Sequence, residues 1–222
     1  MTGRLIPGDI RKENPMTDNR RSLPDTLPLL PVTDSVIFPR MVVPLMVKED
    51  EYSRLIDDTL GKEKFLVVGL VMDPKKAQKD PPEVHRVGTA VQVIKMSKTE
   101  EGTVLVVQGV ARVDIQGVVS EEPYVKVRVK GLREIPRKGQ KVDAMMSTLL
   151  GLFQQLVELS PHLPDELIPL SRNVDHPGAL ADMLVSTLNL DRLKKQQILE
   201  ILNVERRLEK IILFLGEELQ LQ

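Results

Sequence analysis

Tyr124-Val125-Lys126-Val127-Arg128-Val129 alternates strictly, with Tyr124, Lys126 and Arg128 on one side and Val125, Val127 and Val129 on the other. A period of two is the signature of a half-buried strand. After the polar segment Arg133-Glu134-Ile135-Pro136-Arg137-Lys138-Gly139-Gln140 the pattern changes, and Met145, Leu149, Leu152, Phe153 and Leu156 fall on one face of a 3.6-residue repeat. That change of period divides the chain into a β-rich part, residues 27–135, and a helical part, residues 136–222. The fold class is therefore α+β.

Working back from the strand, Leu27–Val32 is short, apolar and punctuated by Pro28 and Pro31, which belong at strand starts and sheet edges because proline donates nothing to a ladder. Val42–Val47 reads as another apolar strand. Tyr52, Leu55, Ile56 and Leu60 have helical spacing, with Gly61 placed to stop the helix. Phe65–Met72 is an unbroken apolar run, as expected of a strand buried on both faces. Thr89–Met96 and Thr103–Val107 flank the polar loop 97–102 as a hairpin, and a further strand covers Ala111–Val119. Many short strands with one helix point to a small, nearly closed barrel. Working forward, helices are expected over Met145–Leu156, Pro164–Leu170, Pro177–Leu188 (proline in the first turn), Leu193–Leu202 (capped by Asp191) and Val204–Leu219. The last helix has Glu217 and Glu218 near its end, Gly216 inside it and no cap residue after it, which fits either fraying or a helix that continues beyond Gln222. Residues 1–26 are polar and aperiodic, and read as a disordered leader.

Composition narrows the function. The net charge is -1, from 31 basic and 32 acidic residues, and aromatics are 3%. Neither a field for phosphates nor a stacking platform is present, which argues against nucleic acid as a partner. There is no cysteine, which removes thiolate chemistry and suits a reducing cytoplasm. No apolar run approaches the ~20 residues of a membrane span. His85, His162 and His176 lack metal-ligand spacing, so no metal and no cofactor is expected and surface or capping roles are. Asp57-Asp58, Glu100-Glu101 and Glu121-Glu122 are neighbours on divergent faces, and read as solvated charges. The one Gly-Lys pair, Gly61-Lys62, is followed by Glu63, so no phosphate loop is formed. No catalytic residue is assigned.

Leu27-Pro28-Leu29-Leu30-Pro31, a spacer carrying Asp34, and then Phe38-Pro39-Arg40-Met41-Val42-Val43-Pro44-Leu45 resemble the opening of Lon proteases. In the same order, Gly88-Thr89-Ala90, Leu105–Arg112 with Gly109 at its centre, Pro177-Gly178-Ala179-Leu180-Ala181-Asp182, Lys195–Glu200 and Asn203–Leu208 are similar to later motifs of that family, so the likeness covers about residues 27–221. It implies a β-rich pseudobarrel resembling PUA-type domains, followed by an α-helical bundle. It further implies a module that engages unfolded, damaged or degron-bearing proteins and supports a hexameric, ATP-dependent Ser-Lys protease, or self-associates. A stand-alone regulatory or scaffold protein of the same type is the alternative. The ATPase and peptidase motifs of the family have no counterpart here. Candidate contacts to protein substrates are Phe38, Pro39, Met41, Val43 and Pro44, because this apolar, proline-broken loop is too irregular for one strand. The competing expectation is that these side chains plug the barrel. Arg112 is expected to anchor a loop by ion pairing.

Overall fold

The computed structural model describes residues 23–47, 49–61, 64–76 and 81–221; most of the leader, 1–22, lies outside them. Six strands form one sheet: β1 (Thr26–Val32), β2 (Val42–Val47), β3 (Phe65–Leu70), β4 (Val87–Thr99), β5 (Gly102–Ser120) and β6 (Lys126–Gly131). Their order is β2-β5-β4-β3-β1-β6, and β6 returns to pair with the far half of β5, which closes the barrel. β5 can serve both ends because it is 19 residues long. Its first half pairs with β2 from Thr103 to Gln108, its second with β6 from Val113 to Ser120.

Three strand expectations need correcting. The loop expected over 97–102 is only a two-residue turn, Glu100-Glu101, because the ladder runs out to Thr99↔Gly102. The strands expected at 103–107 and 111–119 are one strand continuing through Gln108-Gly109-Val110. Nor is β1 at an edge. It pairs with β6 through residues 26–28 and with β3 through 29–32. Each half thus meets one neighbour, and each proline has a side without a ladder to break.

Between β2 and β3, helix α1 (Glu49–Gly61) lays Leu55 and Ile56 on an apolar cluster formed by Leu30, Leu45, Leu66, Val91, Leu105 and Val107. A second cluster takes Leu27, Leu29, Val67, Ala90, Val113 and Val127, so β1 and β3 are buried on both faces. This is why Phe65–Leu70 shows no alternation.

Five helices follow: α2 (Gln140–Leu159), α3 (Leu167–Arg172), α4 (Pro177–Thr187), α5 (Arg192–Glu200) and α6 (Val204–Gln220). α6 packs on α2 and α4 with Leu208, Ile211 and Leu215 fully buried. Three helices open on side-chain caps, where His176 Nδ1, Asp191 Oδ1 and Asn203 Oδ1 accept from the backbone N–H of Ala179, Leu193 and Arg206. Pro169 sits in the first turn of α3, where its missing N–H is no loss. The polar segment between strands and helices is tied down at Ile135, which donates to the Leu202 carbonyl (2.9 Å) and accepts from Val204 N–H (3.2 Å).

Candidate functional site

The proline-broken loop after β1 is built into the fold. Phe38, Pro39, Arg40 and Met41 form a tight turn closed by Met41 N–H donating to the Phe38 carbonyl at 3.3 Å. Proline suits its second position, and Arg40 takes the left-handed conformation (φ 70°) that the third then requires. The turn is stitched to β5, since Arg40 N–H donates to the Gly109 carbonyl and Gly109 N–H to the Met41 carbonyl, both at 2.8 Å. Only glycine allows this approach, because a Cβ at 109 would lie 2.2 Å from the Phe38 carbonyl oxygen.

The side chains then part. Ile37 enters the cluster under α1, whereas Phe38, fully buried, enters the helical core beside Leu149, Phe153 and Leu184. Phe38 is therefore a wedge into the bundle and not a barrel plug. Pro39 is buried as well. Met41 is half-buried against the helical core and Val43 half-buried against the barrel cluster, while Pro44 is exposed.

Beneath this turn lies a buried charge cluster. Arg112 on β5 donates to both oxygens of Asp182 on α4 (2.9 and 2.6 Å) and to the Leu199 carbonyl (2.9 Å). Arg207 on α6 reaches Glu134 (2.5 Å), Asp182 (3.1 Å) and the Ile201 carbonyl. Arg112, Asp182 and Arg207 are at most 2% exposed. Arg112 thus pairs with the loop between β6 and α2 as expected, through Glu134 at 3.4 Å, and more closely with Asp182 on a helix of the bundle. Burial pushes Glu134 upward, yet its hydrogen bond to Arg207 and the charges of Arg207, Arg112 and Arg40 outweigh it and hold its pKa below the usual carboxylate range. Burial is also the main reason the Arg207 pKa falls, against the pull of Asp182 and Glu134. Gly178 opens space for this cluster, since a Cβ there would meet the Glu134 carboxylate at 2.8 Å. Two cations and two carboxylates balance, so the cluster is a connector between strands and helices.

What remains accessible is the outer side of β2. Its odd residues 43, 45 and 47 turn inward, while Val42, Pro44 and Met46 are exposed. They align with Gln108, Val106 and Val104 of β5 and, one strand further, with Gln92, Lys95 and Ser97 of β4. The β4–β5 register slips between Val93 and Lys95, which leaves Ile94 as an extra, outward-turned residue. Bulges re-aim side chains in this way. Val42, Met46 and Ile94 are each more than half exposed, with Val104 and Val106 part-covered between them. The result is an apolar patch across three strands, edged by Gln92, Gln108, Lys95 and Ser97. β2 pairs on one side alone among the described residues, and Pro44 turns its missing N–H to the free side.

Among the described residues no group of three His, Asp or Glu could hold a metal, and no helix is long and apolar enough to cross a membrane.

A six-strand pseudobarrel joined by a buried charge cluster to a five-helix bundle defines the class, and residues 26–217 match the family described as the ATP-dependent protease La (LON) substrate-binding domain. The chain belongs to that family. It is 32% identical over 212 residues to the Lon protease of Desulfosudis oleivorans, with 95% of this chain and 26% of that protein covered. It is 36% identical over 200 residues to the Lon protease of Koribacter versatilis, covering 89% and 24%. The fold matches the N-terminal domain of a Mycobacterium avium complex Lon protease with a TM-score of 0.73 at 23% identity, over 86% of this chain and 98% of that one. It matches a Lon N-terminal domain protein from Xanthomonas campestris at 0.60 and 19%, over 84% and 96%. The chain spans about a quarter of the length of the Lon proteases it matches, and corresponds to their substrate-binding part and not to the catalytic part.

Proposed function

We propose that the outer face of β2-β5-β4 docks apolar segments of unfolded or degron-bearing proteins for an ATP-dependent protease engaged in cytoplasmic quality control. The supporting observation is the alternation on β2, which leaves Val42, Pro44 and Met46 outward beside the bulged Ile94. Exposed apolar patches rimmed by polar residues mark protein-binding surfaces, and methionine adapts to varied partners. Of the residues suggested by the sequence, Pro44 lies in this surface, Met41 and Val43 pack inward against the helical core and the barrel cluster, and Phe38 and Pro39 hold the supporting turn. ATP hydrolysis and peptide cleavage belong to the remainder of a Lon protein, and this chain alone performs neither. Its share in hexamer assembly is to present the face from a rigid two-part body. Nucleic acid is not a partner in this reading.

Binding driven by apolar area is weak, tolerant of sequence and little affected by salt. The test is titration of a reduced, unfolded model protein against wild type and Met46→Asp, a surface change that leaves the melting temperature within about 2 °C. Affinity should fall several-fold with Met46→Asp and remain with Leu213→Asp, which alters an exposed leucine on α6. Equal affinity of all three proteins would remove the outer face from consideration.

A further inference from the structure

A second concave site lies where the start of β1, the end of α1, the start of β3 and the approach to β6 meet. It is a cleft of about 490 Å³, inside the range of small-ligand pockets. Pro28, Phe65 and the Tyr124 ring supply apolar wall; Lys64, Lys126 and Asp58 supply charge.

The charges are not balanced. Asp58 already accepts a hydrogen bond from the Tyr124 hydroxyl at 3.0 Å. Burial, and then Asp58, push the Tyr124 pKa up, so the phenol stays a neutral donor. The Lys126 ammonium sits 5.2 Å from the centroid of the Tyr124 ring, and neither it nor Lys64 has a carboxylate partner among the described residues. Lys64 also occupies the left-handed region (φ 61°). Its N–H donates to the Thr59 carbonyl at 3.1 Å and its carbonyl accepts from Val93 N–H at 2.8 Å. This backbone fixes the step from α1 into β3, and with it the place of the Lys64 side chain in the wall of the cleft.

Apolar wall beside two cations and one carboxylate, a net positive charge with neither lysine ion-paired among the described residues, fits an apolar body that ends in a carboxylate. We infer that the cleft takes the carboxyl terminus of a protein chain with apolar last residues, its carboxylate held by Lys64 and Lys126 and its side chains laid on Pro28, Phe65 and Tyr124. The volume suits two or three residues. Lys64 is exposed at the rim, so the cleft opens to solvent; a long acyl tail would need an enclosed tunnel. The partner class rests on the reading proposed above, but the cleft shares no residue with the outer face.

The experiment is fluorescence anisotropy on the whole chain with a labelled ten-residue peptide ending Ala-Leu-Phe, as free acid and as carboxyl-terminal amide. The acid should bind about tenfold more tightly, the equivalent of one charge-assisted contact, and lose that margin at high salt. The double variant Lys64→Asn/Lys126→Met should bind acid and amide alike. Asparagine tolerates the left-handed backbone, so its melting temperature should match wild type. Met46→Asp should weaken unfolded-protein binding and leave the acid-to-amide margin intact, so either reading can fail without the other. Equal binding of acid and amide by wild type would overturn the inference, as would no binding of either. Lysine-dependent binding of decanoate without binding of the peptide would also overturn it, and would assign the cleft to a small amphiphile.

Discussion

Replacing Asp182 by asparagine probes the join between barrel and bundle. Asp182 is fully buried and receives three hydrogen bonds, two from Arg112 and one from Arg207. The amide side chain is nearly isosteric with the carboxylate, so volume is kept while the charge is removed and one acceptor oxygen becomes an NH2 donor facing a guanidinium. Two buried guanidiniums would then share Glu134, which is 20% exposed and 3.4 Å from Arg112. Breaking a buried pair from one side costs about 3–5 kcal/mol. For a chain of this size 1 kcal/mol moves the melting temperature by about 2–4 °C, so Asp182→Asn should lower it by about 6–20 °C. The double variant Arg112→Met/Asp182→Leu leaves Arg207 and Glu134 as a balanced pair at 2.5 Å. Its main loss is the donor to the Leu199 carbonyl, an unmade bond that costs about 1–3 kcal/mol. It should therefore be more stable than either single variant. Differential scanning calorimetry of the set measures the coupling. A shift under about 2 °C for Asp182→Asn, or a double-variant loss equal to the sum of the singles, would show that the cluster does not act as a unit.

Glu134→Gln should flatten the acid side of the stability profile: a carboxylate whose folded pKa is depressed contributes fully above its unfolded value of about 4.3 and loses that contribution as pH falls through the folded one, so wild type and variant should converge in melts taken towards about pH 2. Gly109→Ala must move the Phe38 turn away from β5 and should cost about 1–3 kcal/mol in urea unfolding, while Gly216→Ala, with open space around its Cβ inside α6, should gain about 1 kcal/mol. Ile211→Ala empties a fully buried position between α6 and its neighbours and should cost about 2–4 kcal/mol; an unchanged midpoint would mean that the stripe is not packed.

Local pattern carried much of the fold. The alternation at 124–129 and the repeat at 145–156 place β6 and α2 nearly where they lie, and Asp191 caps α5 as its position suggests. Failures came where a distant partner decides. Gln108-Gly109-Val110 looks like a break between strands, but the ladder to β4 and the Phe38 turn, about 70 residues earlier, hold it extended. Likewise Arg112, Asp182 and Arg207 each stand in a family-like motif, yet no periodicity reports that they meet across 70 and 25 residues. Two cations and two carboxylates in one core are the kind of pairing that only the assembled fold makes affordable.

The site was less legible for a related reason. Val42-Val43-Pro44-Leu45-Met46-Val47 is apolar at every position, so the sequence contains no alternation to say which residues face out. Such a run ordinarily marks a strand covered on both faces. Among the described residues β2 pairs with β5 alone, and only its inner side is covered. Sheet edges usually carry charged residues or proline to discourage association. β2 keeps the proline but has valine and methionine at its other outward positions, and β4 adds Ile94 through a bulge. The proline leaves a gap in any ladder an incoming strand would build on the free edge, so the edge is poorly suited to strand addition. The adjoining face has no such block. A partner held by side-chain contact on that face would be chosen by apolar area and not by backbone register, which is the kind of selectivity that the proposed docking of many unfolded sequences calls for.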